Sequence, residues 1–172
     1  IVSVFLADSE KRAREEYLTK EFQSDCSDIR IKIWERLNTE AQLLRCGAAF
    51  FASSDSVSRE DWKVFYENSM VVRHLPGIQG FGYAQVIPQY ALKNHILHIR
   101  ENGFPEYEIK PATERDTYTT IIYLEPFEGS NLRAFGYDMF SESVRRRAME
   151  IARDSDIASL SGKVILVQET GS

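Results

Sequence analysis

The residues best placed to do chemistry lie between Arg115 and Leu160, and the first of them is Asp138. It follows Phe135-Gly136-Tyr137 at the predicted end of a strand and precedes Ser141, the predicted N-cap of a helix. A carboxylate beside aromatic side chains and ahead of a helix N-terminus can accept the N–H groups of a flat heterocycle. The plainer alternative is that Asp138 only caps or turns the chain. His95 and His98 are three apart on a predicted helix, the spacing of two metal ligands on one face, but no third ligand is near. Arg145-Arg146-Arg147 reads as an anion patch or, with Glu142 one turn earlier, as a solvated and paired helix face, which is the commoner arrangement. Gly80-Phe81-Gly82 is a lone G-x-G inside a strand pattern and marks close backbone packing rather than a phosphate cradle. There is no G-x-S-x-G, P-loop, C-x-x-C or H-E-x-x-H, and no pair of acidic residues is spaced for acid–base work. No catalytic residue, metal or cofactor is therefore assigned.

The elements that position these residues belong to a chain of 172 residues, long enough to bury an unstapled core. Its 21 basic and 26 acidic residues give a net charge of −5, which excludes nucleic acid as a main partner. No stretch reaches the ~20 apolar residues of a membrane span. The chain begins at Ile1 rather than Met, as a piece of a longer protein does. The apolar run from Ile1 to Ala7 gives way abruptly to Asp8-Ser9-Glu10-Lys11-Arg12. It fits the last turns of a membrane helix emerging into water, or a plain helix start. Cys26 and Cys46 fall within one predicted helix, about 30 Å apart at ~1.5 Å per residue, so they cannot pair within the chain. The reading is unpaired and at least half-buried, or paired between chains in an oxidising compartment.

Residues 10–52 contain no proline, and Tyr17, Phe22, Ile29, Ile33, Leu37, Leu44, Ala48 and Phe51 recur on one helical face. This predicts one long helix; the alternative is two helices broken near Ser24-Asp25. Ser58-x-x-Asp61 predicts a capping box opening a second helix that His74-Leu75-Pro76-Gly77 must end. A strand over 78–87, a helix over 89–102, strands at 107–110, 119–124 and 132–138, a helix over 142–154 and a strand at 163–168 complete the pattern. In the 142–154 helix, Val144, Ala148, Ile151 and Ala152 are predicted to face the core. The class is α+β with a small, mostly antiparallel sheet. Two parts follow: a stalk helix over 1–53 and a ligand-binding part over 54–172.

Tyr123-Leu124-Glu125-Pro126, Gly136-x-Asp138, Ser141, Arg145-Arg146, Ala148 and Ala152-Arg153 together resemble the CHASE domain. That domain is the extracytoplasmic sensor of bacterial receptor kinases and diguanylate cyclases and of plant cytokinin receptors. Pro76-Gly77-Ile78 and Leu160-Ser161 also fit, and the likeness covers about residues 47–168. It implies a long N-terminal helix and PAS-like subdomains holding a small ligand. Asp138 matches the aspartate that takes hydrogen bonds from adenine in the cytokinin receptors. Leu160 matches the leucine whose main chain completes that recognition. Tyr118, Tyr123 and Phe135 are then the expected apolar walls. The plant receptors continue Leu-Thr-Ser-Pro where this chain reads Leu160-Ser161-Gly162, and Ser172 falls before the strand expected to add another pocket wall.

The functional expectation is a periplasmic or extracellular ligand sensor, not an enzyme, in a parent protein anchored in the membrane. It homodimerises through the N-terminal helix and signals to a cytoplasmic output domain. Two other classes make different demands on the chain. An interaction module would show an exposed apolar patch instead of an enclosed pocket. A hydrolase or transferase would need a nucleophile–base pair that the three histidines do not provide.

Overall fold

The computed structural model describes residues 2–69 and 75–169, with side chains from Glu10 onward. The His74 stop signal thus lies outside the described residues. The chain divides into two compact units, Ile1–Gly47 and Ala48–Ser172.

The first unit is one continuous helix. α1 runs Val2–Ala52, with no break at Ser24-Asp25, and its last turn belongs to the second unit. Lys20–Glu16 at 2.7 Å and Arg36–Glu40 at 3.0 Å are i,i+4 pairs along it, each adding a few tenths of a kcal/mol. Leu18, Phe22, Ile29, Ile33, Leu37 and Leu44 are all exposed. Both cysteines are free, but they are exposed rather than half-buried, because a lone helix has no inner face to hide them.

In the second unit, α2 spans Arg59–Asn68, β1 Phe81–Pro88, α3 Leu92–Glu101, β2 Thr117–Glu125 and α4 Ser143–Ser155. The capping box forms: Ser58 Oγ accepts from Asp61 N at 3.1 Å, and Asp61 accepts from Ser58 N at 2.9 Å. The Ser58 hydroxyl also donates to Asp61 Oδ2 at 2.6 Å, and that bond, with the one from Ser58 N, holds the Asp61 carboxyl below its ordinary pKa. β1 and β2 form a two-stranded antiparallel sheet, giving the expected α+β class. Its register runs Phe81↔Glu125 to Pro88↔Thr117, with a bulge where Tyr83↔Tyr123 gives way to Ala84↔Ile121. Ile122 is the extra residue, and its carbonyl, freed from the ladder, accepts from Arg59 Nη2 at 2.8 Å.

Aromatic side chains hold the elements together. Phe51 stacks on Tyr83 with centroids 3.9 Å apart, and Phe50 on Phe65 at 4.8 Å. Trp62 is buried against Phe81 at 5.0 Å. The Arg59 guanidinium lies 4.5–5.4 Å from the ring centres of Phe104, Phe127, Phe135 and Tyr123, a cation–π cluster. A second core joins Ile87, Tyr107, Ile109 and Tyr118 to Leu92, Ile96 and Ile99 of α3.

Three expected strands are not strands. Residues 107–110 contribute one isolated bridge, Lys110↔Tyr137. Over 132–138 the chain first makes a 3₁₀ turn, Gly129–Ala134, and then pairs only at Tyr137 and Asp138. Gly129 (φ 55°) and Gly136 (φ 80°) bend the backbone into the left-handed region, which no strand tolerates. Residues 163–168 end in a 3₁₀ turn, Val167–Glu169, because no described strand lies beside them to complete a ladder. α4 is capped by Glu142, not Ser141, which belongs to the 3₁₀ turn Met139–Ser141. Glu142 accepts from Val144 N and Arg145 N at 3.0 and 2.9 Å, and its carboxyl titrates below the ordinary range. The inner face of α4 also differs: Ala148 and Arg145 are buried and Ala152 half-buried, while Val144 and Ile151 are exposed.

The Gly136–Asp138 segment is tied on both sides. Gly136 N donates to Ile121 O at 2.9 Å, Ile121 N to Tyr137 O at 3.1 Å, and Asp138 N to Lys110 O at 2.7 Å. Asp138 has no exposed surface; Oδ1 accepts from Thr119 N (2.8 Å) and Phe140 N (3.1 Å), and Oδ2 lies 3.1 Å from Arg115 Nε. This junction generates two expected outcomes. Gly136→Ala places a methyl against the Glu108 carbonyl oxygen at positive φ, so urea unfolding should show a loss of about 2–4 kcal/mol. Arg115→Gln leaves a buried carboxylate uncompensated and should cost about 2–3 kcal/mol, most of it recovered when Asp138→Asn is added; equal losses in the single and double variants would refute the pairing.

Candidate functional site

The cavity that brings polar groups and apolar walls together lies on one face of the β1–β2 sheet. Gly80, just before β1, and Gly82 and Ala84 of β1 supply its floor and present little or no side chain. The glycines also permit close packing: a Cβ on Gly82 would stand 2.7 Å from the Tyr123 carbonyl, and one on Gly80 2.9 Å from Leu124 Cδ1. The G-x-G therefore serves backbone approach, as expected. Ile121, Tyr137 and Met139 form further walls, and Leu166, Val167 and Gln168 line it as well. The cavity volume is ≈ 210 Å³, small beside the ~300–1,000 Å³ of sites for drug-sized ligands.

Arg145 supplies the charge at this cavity. It is only 7% exposed and shares the inward face of α4 with buried Ala148 and half-buried Ala152. Its Nη1 donates to Tyr137 Oη at 3.2 Å and its Nη2 to the Ile165 carbonyl at 2.8 Å. The guanidinium carbon lies 5.4 Å from the centre of the Tyr137 ring. The expected solvated face is thus true only of Arg146, which pairs with Glu150 at 2.9 Å, and of exposed Arg147.

The five residues singled out from sequence do not converge on one cavity. Asp138 and Tyr118 are neighbours in the interior, where Tyr118 Oη accepts from Arg115 N at 3.1 Å. Tyr123 donates its hydroxyl to the Val57 carbonyl at 2.7 Å, and it meets Phe135 only through Arg59, which lies over both rings. Phe135 also lines a separate hollow of ≈ 320 Å³ with Phe104, Tyr107 and Leu132. Behind it runs a buried chain, His95 Nε2 to Tyr107 Oη to Thr120 Oγ1, each step 3.0 Å; burial lowers the His95 pKa and raises that of Tyr107. Leu160 is 80% exposed and borders an open groove of ≈ 480 Å³ with Val144 and Ile151.

The stretch singled out from sequence borders the cavity, but Asp138 itself does not line it. Tyr137 and Met139 line the cavity, and Asp138 between them points the opposite way, as alternate residues of extended chain do. That alternation was the available signal. For Arg145 the signal was the Arg145–Ala148–Ala152 line on α4. Among the described residues, no group of three or more His, Cys, Asp or Glu side chains could hold a metal ion. No described helix is long and apolar enough to cross a membrane.

A comparison with curated proteins gives no match. The family model of the CHASE domain, however, matches residues 55–172, more than half of the chain and the whole of the region that builds this cavity. The chain therefore belongs to the CHASE domain family, the extracytoplasmic sensor domains of signalling receptors.

Proposed function

We propose that this domain senses a small organic molecule held in the sheet-face cavity beneath α4, and that its parent receptor passes the signal to a cytoplasmic histidine kinase or diguanylate cyclase. The observation that carries this reading is the convergence of Arg145 and Tyr137 on a cavity otherwise walled by apolar side chains, the usual composition of a small-molecule site. An adenine-type ligand gripped by Asp138 would need that carboxylate released from Arg115 and from two backbone N–H groups. The site proposed is therefore centred on Tyr137, Met139 and Arg145 instead. Filling the cavity by Ala84→Phe tests it. A bound molecule at about a hundred times its Kd raises stability by about 2.7 kcal/mol, a Tm rise of roughly 5–11 °C in wild type. Screening adenine, N6-substituted adenines and small organic acids by thermal shift should find a stabiliser that Ala84→Phe no longer responds to. A stabiliser acting equally on both proteins would move the site elsewhere.

We propose further that α1 pairs with α1 of a second copy. Its exposed apolar residues repeat every 11 positions: Leu18 with Ile29, Phe22 with Ile33 and Leu44, Cys26 with Leu37. An 11-residue period keeps a stripe nearly straight along a helix and suits another helix with the same repeat. The stripe is about 40 Å long and ~100° wide, so a pair would bury roughly 1,000 Å², the lower bound for a specific interface. Ile31 and Trp34 lie off it. Exposed Asp25 and Arg30 flank the stripe on opposite sides, five residues apart, as opposite charges meeting across two parallel helices do. In this arrangement Cys26 faces its twin, while Cys46 sits on the far side of the helix. Mild oxidation should therefore join Cys46→Ser chains through Cys26 into a covalent dimer and leave Cys26→Ser chains single. Cross-linking through Cys46 alone, or a monomer in sedimentation, would refute the parallel pairing.

A further inference from the structure

Arg145 and Asp138 are both buried charges on the same short stretch of fold, and they are neutralised differently. Asp138 has Arg115 beside it. Arg145 has only a phenol oxygen and a peptide carbonyl; among the described residues no carboxylate lies within ion-pairing distance of its guanidinium. Glu142 is within electrostatic reach, but its two oxygens are spent on the N–H groups of Val144 and Arg145. A buried cation without a counter-ion is expensive, and a guanidinium has more N–H donors than these two neutral acceptors occupy. The same guanidinium forms part of the cavity wall.

We infer that the ligand of this cavity carries a carboxylate bound by Arg145, and that its arrival competes with the hydrogen bond from Arg145 to the Ile165 carbonyl. The inference rests on the cavity being the ligand site. Planar carboxylates match the guanidinium fork, and charge-assisted bonds of this kind are about twice as strong as neutral ones. The remaining walls, Ile121, Met139 and the ring of Tyr137, suit an apolar body. A volume of ≈ 210 Å³ suits a compact body. Arg145 Nη2 holds the carbonyl of Ile165, the next three residues line the cavity, and Arg133 Nη1 holds the Gln168 carbonyl at 3.0 Å, so a carboxylate that draws the Arg145 guanidinium toward itself releases the segment at its Ile165 end. Recognition and a backbone response would then share one side chain.

The test titrates the whole chain with butyrate and benzoate, with butyramide and benzamide as neutral isosteres, and with adenine, following backbone amide signals by NMR. The acids should shift signals at Gly80–Ala84 and Tyr137–Met139 and bind at least tenfold more tightly than their amides. Hydrogen exchange at Val167–Glu169 should speed up when an acid is bound. Arg145→Gln should abolish the preference for acids, and Arg145→Lys should retain part of it; the comparison of acids with amides on wild type stands even if a variant fails to fold. Amides or adenine binding as well as the acids would overturn the carboxylate inference and leave the cavity reading intact. Unchanged exchange at Val167–Glu169 would overturn the competition with Ile165. If no probe shifts a cavity signal, both the inference and the cavity reading fall.

Discussion

A carboxylate with no exposed surface is tolerated only if each oxygen is committed, and the second unit is arranged around one such group. Asp138 takes an N–H from β2 through Thr119 and another from the following turn through Phe140, with Arg115 alongside its second oxygen. Three separate stretches of chain are thus fixed to one side chain. Losing any one of these partners would leave a buried polar group unsatisfied, which costs more than the bond contributes when formed. The backbone around Asp138 has little freedom as a result. With its side chain turned inward, its neighbours Tyr137 and Met139 must face the other way, and that is the face on which the cavity opens. The same tie sets where α4 begins, because Glu142 caps the helix only one residue after the turn that Asp138 starts.

What could be read from sequence was what depends on local pattern. The long helix, the Ser58–Asp61 box and the two strands around Tyr83 and Tyr123 each carry their own periodicity or cap, and each forms. The stretch over 132–138 reads as a strand because it is rich in aromatics. Gly136, whose positive φ is required by the closeness of Glu108, cannot announce that conformation from composition alone. The stretch over 163–168 has strand-forming residues but no described strand beside it, and a strand is defined by what lies next to it.

The site was less legible for a related reason. That Asp138 matters is visible in its setting between aromatics and a helix start; whether it faces a guest or the interior depends on Arg115, 23 residues away in sequence. Arg145 reads as a surface residue because arginines in a charge run are nearly always solvated. It lies inward because it shares the inner face of α4 with Ala148 and Ala152, and because Tyr137 and Ile165 offer acceptors to its guanidinium. Neither acceptor is near Arg145 in the chain's local pattern.

The different partners of Asp138 and Arg145 bear on how such a domain can respond at all. A ligand shifts a conformational equilibrium only by the difference in its affinity for the two states, so the group that binds it must also hold something that changes. Asp138 is poorly suited to that role, since every partner it has is structural and giving one up would unsettle β2 itself. Arg145 is better suited, because its hydrogen bond to the Ile165 carbonyl reaches a segment outside the β1–β2 sheet, so that giving it up leaves the sheet's own bonds in place. The two sides of residue 138 meet complementary requirements: the bonds of Asp138 keep Tyr137 and Met139 in place for recognition, and a single side-chain bond to the Ile165 carbonyl is one that recognition can exchange without breaking the sheet.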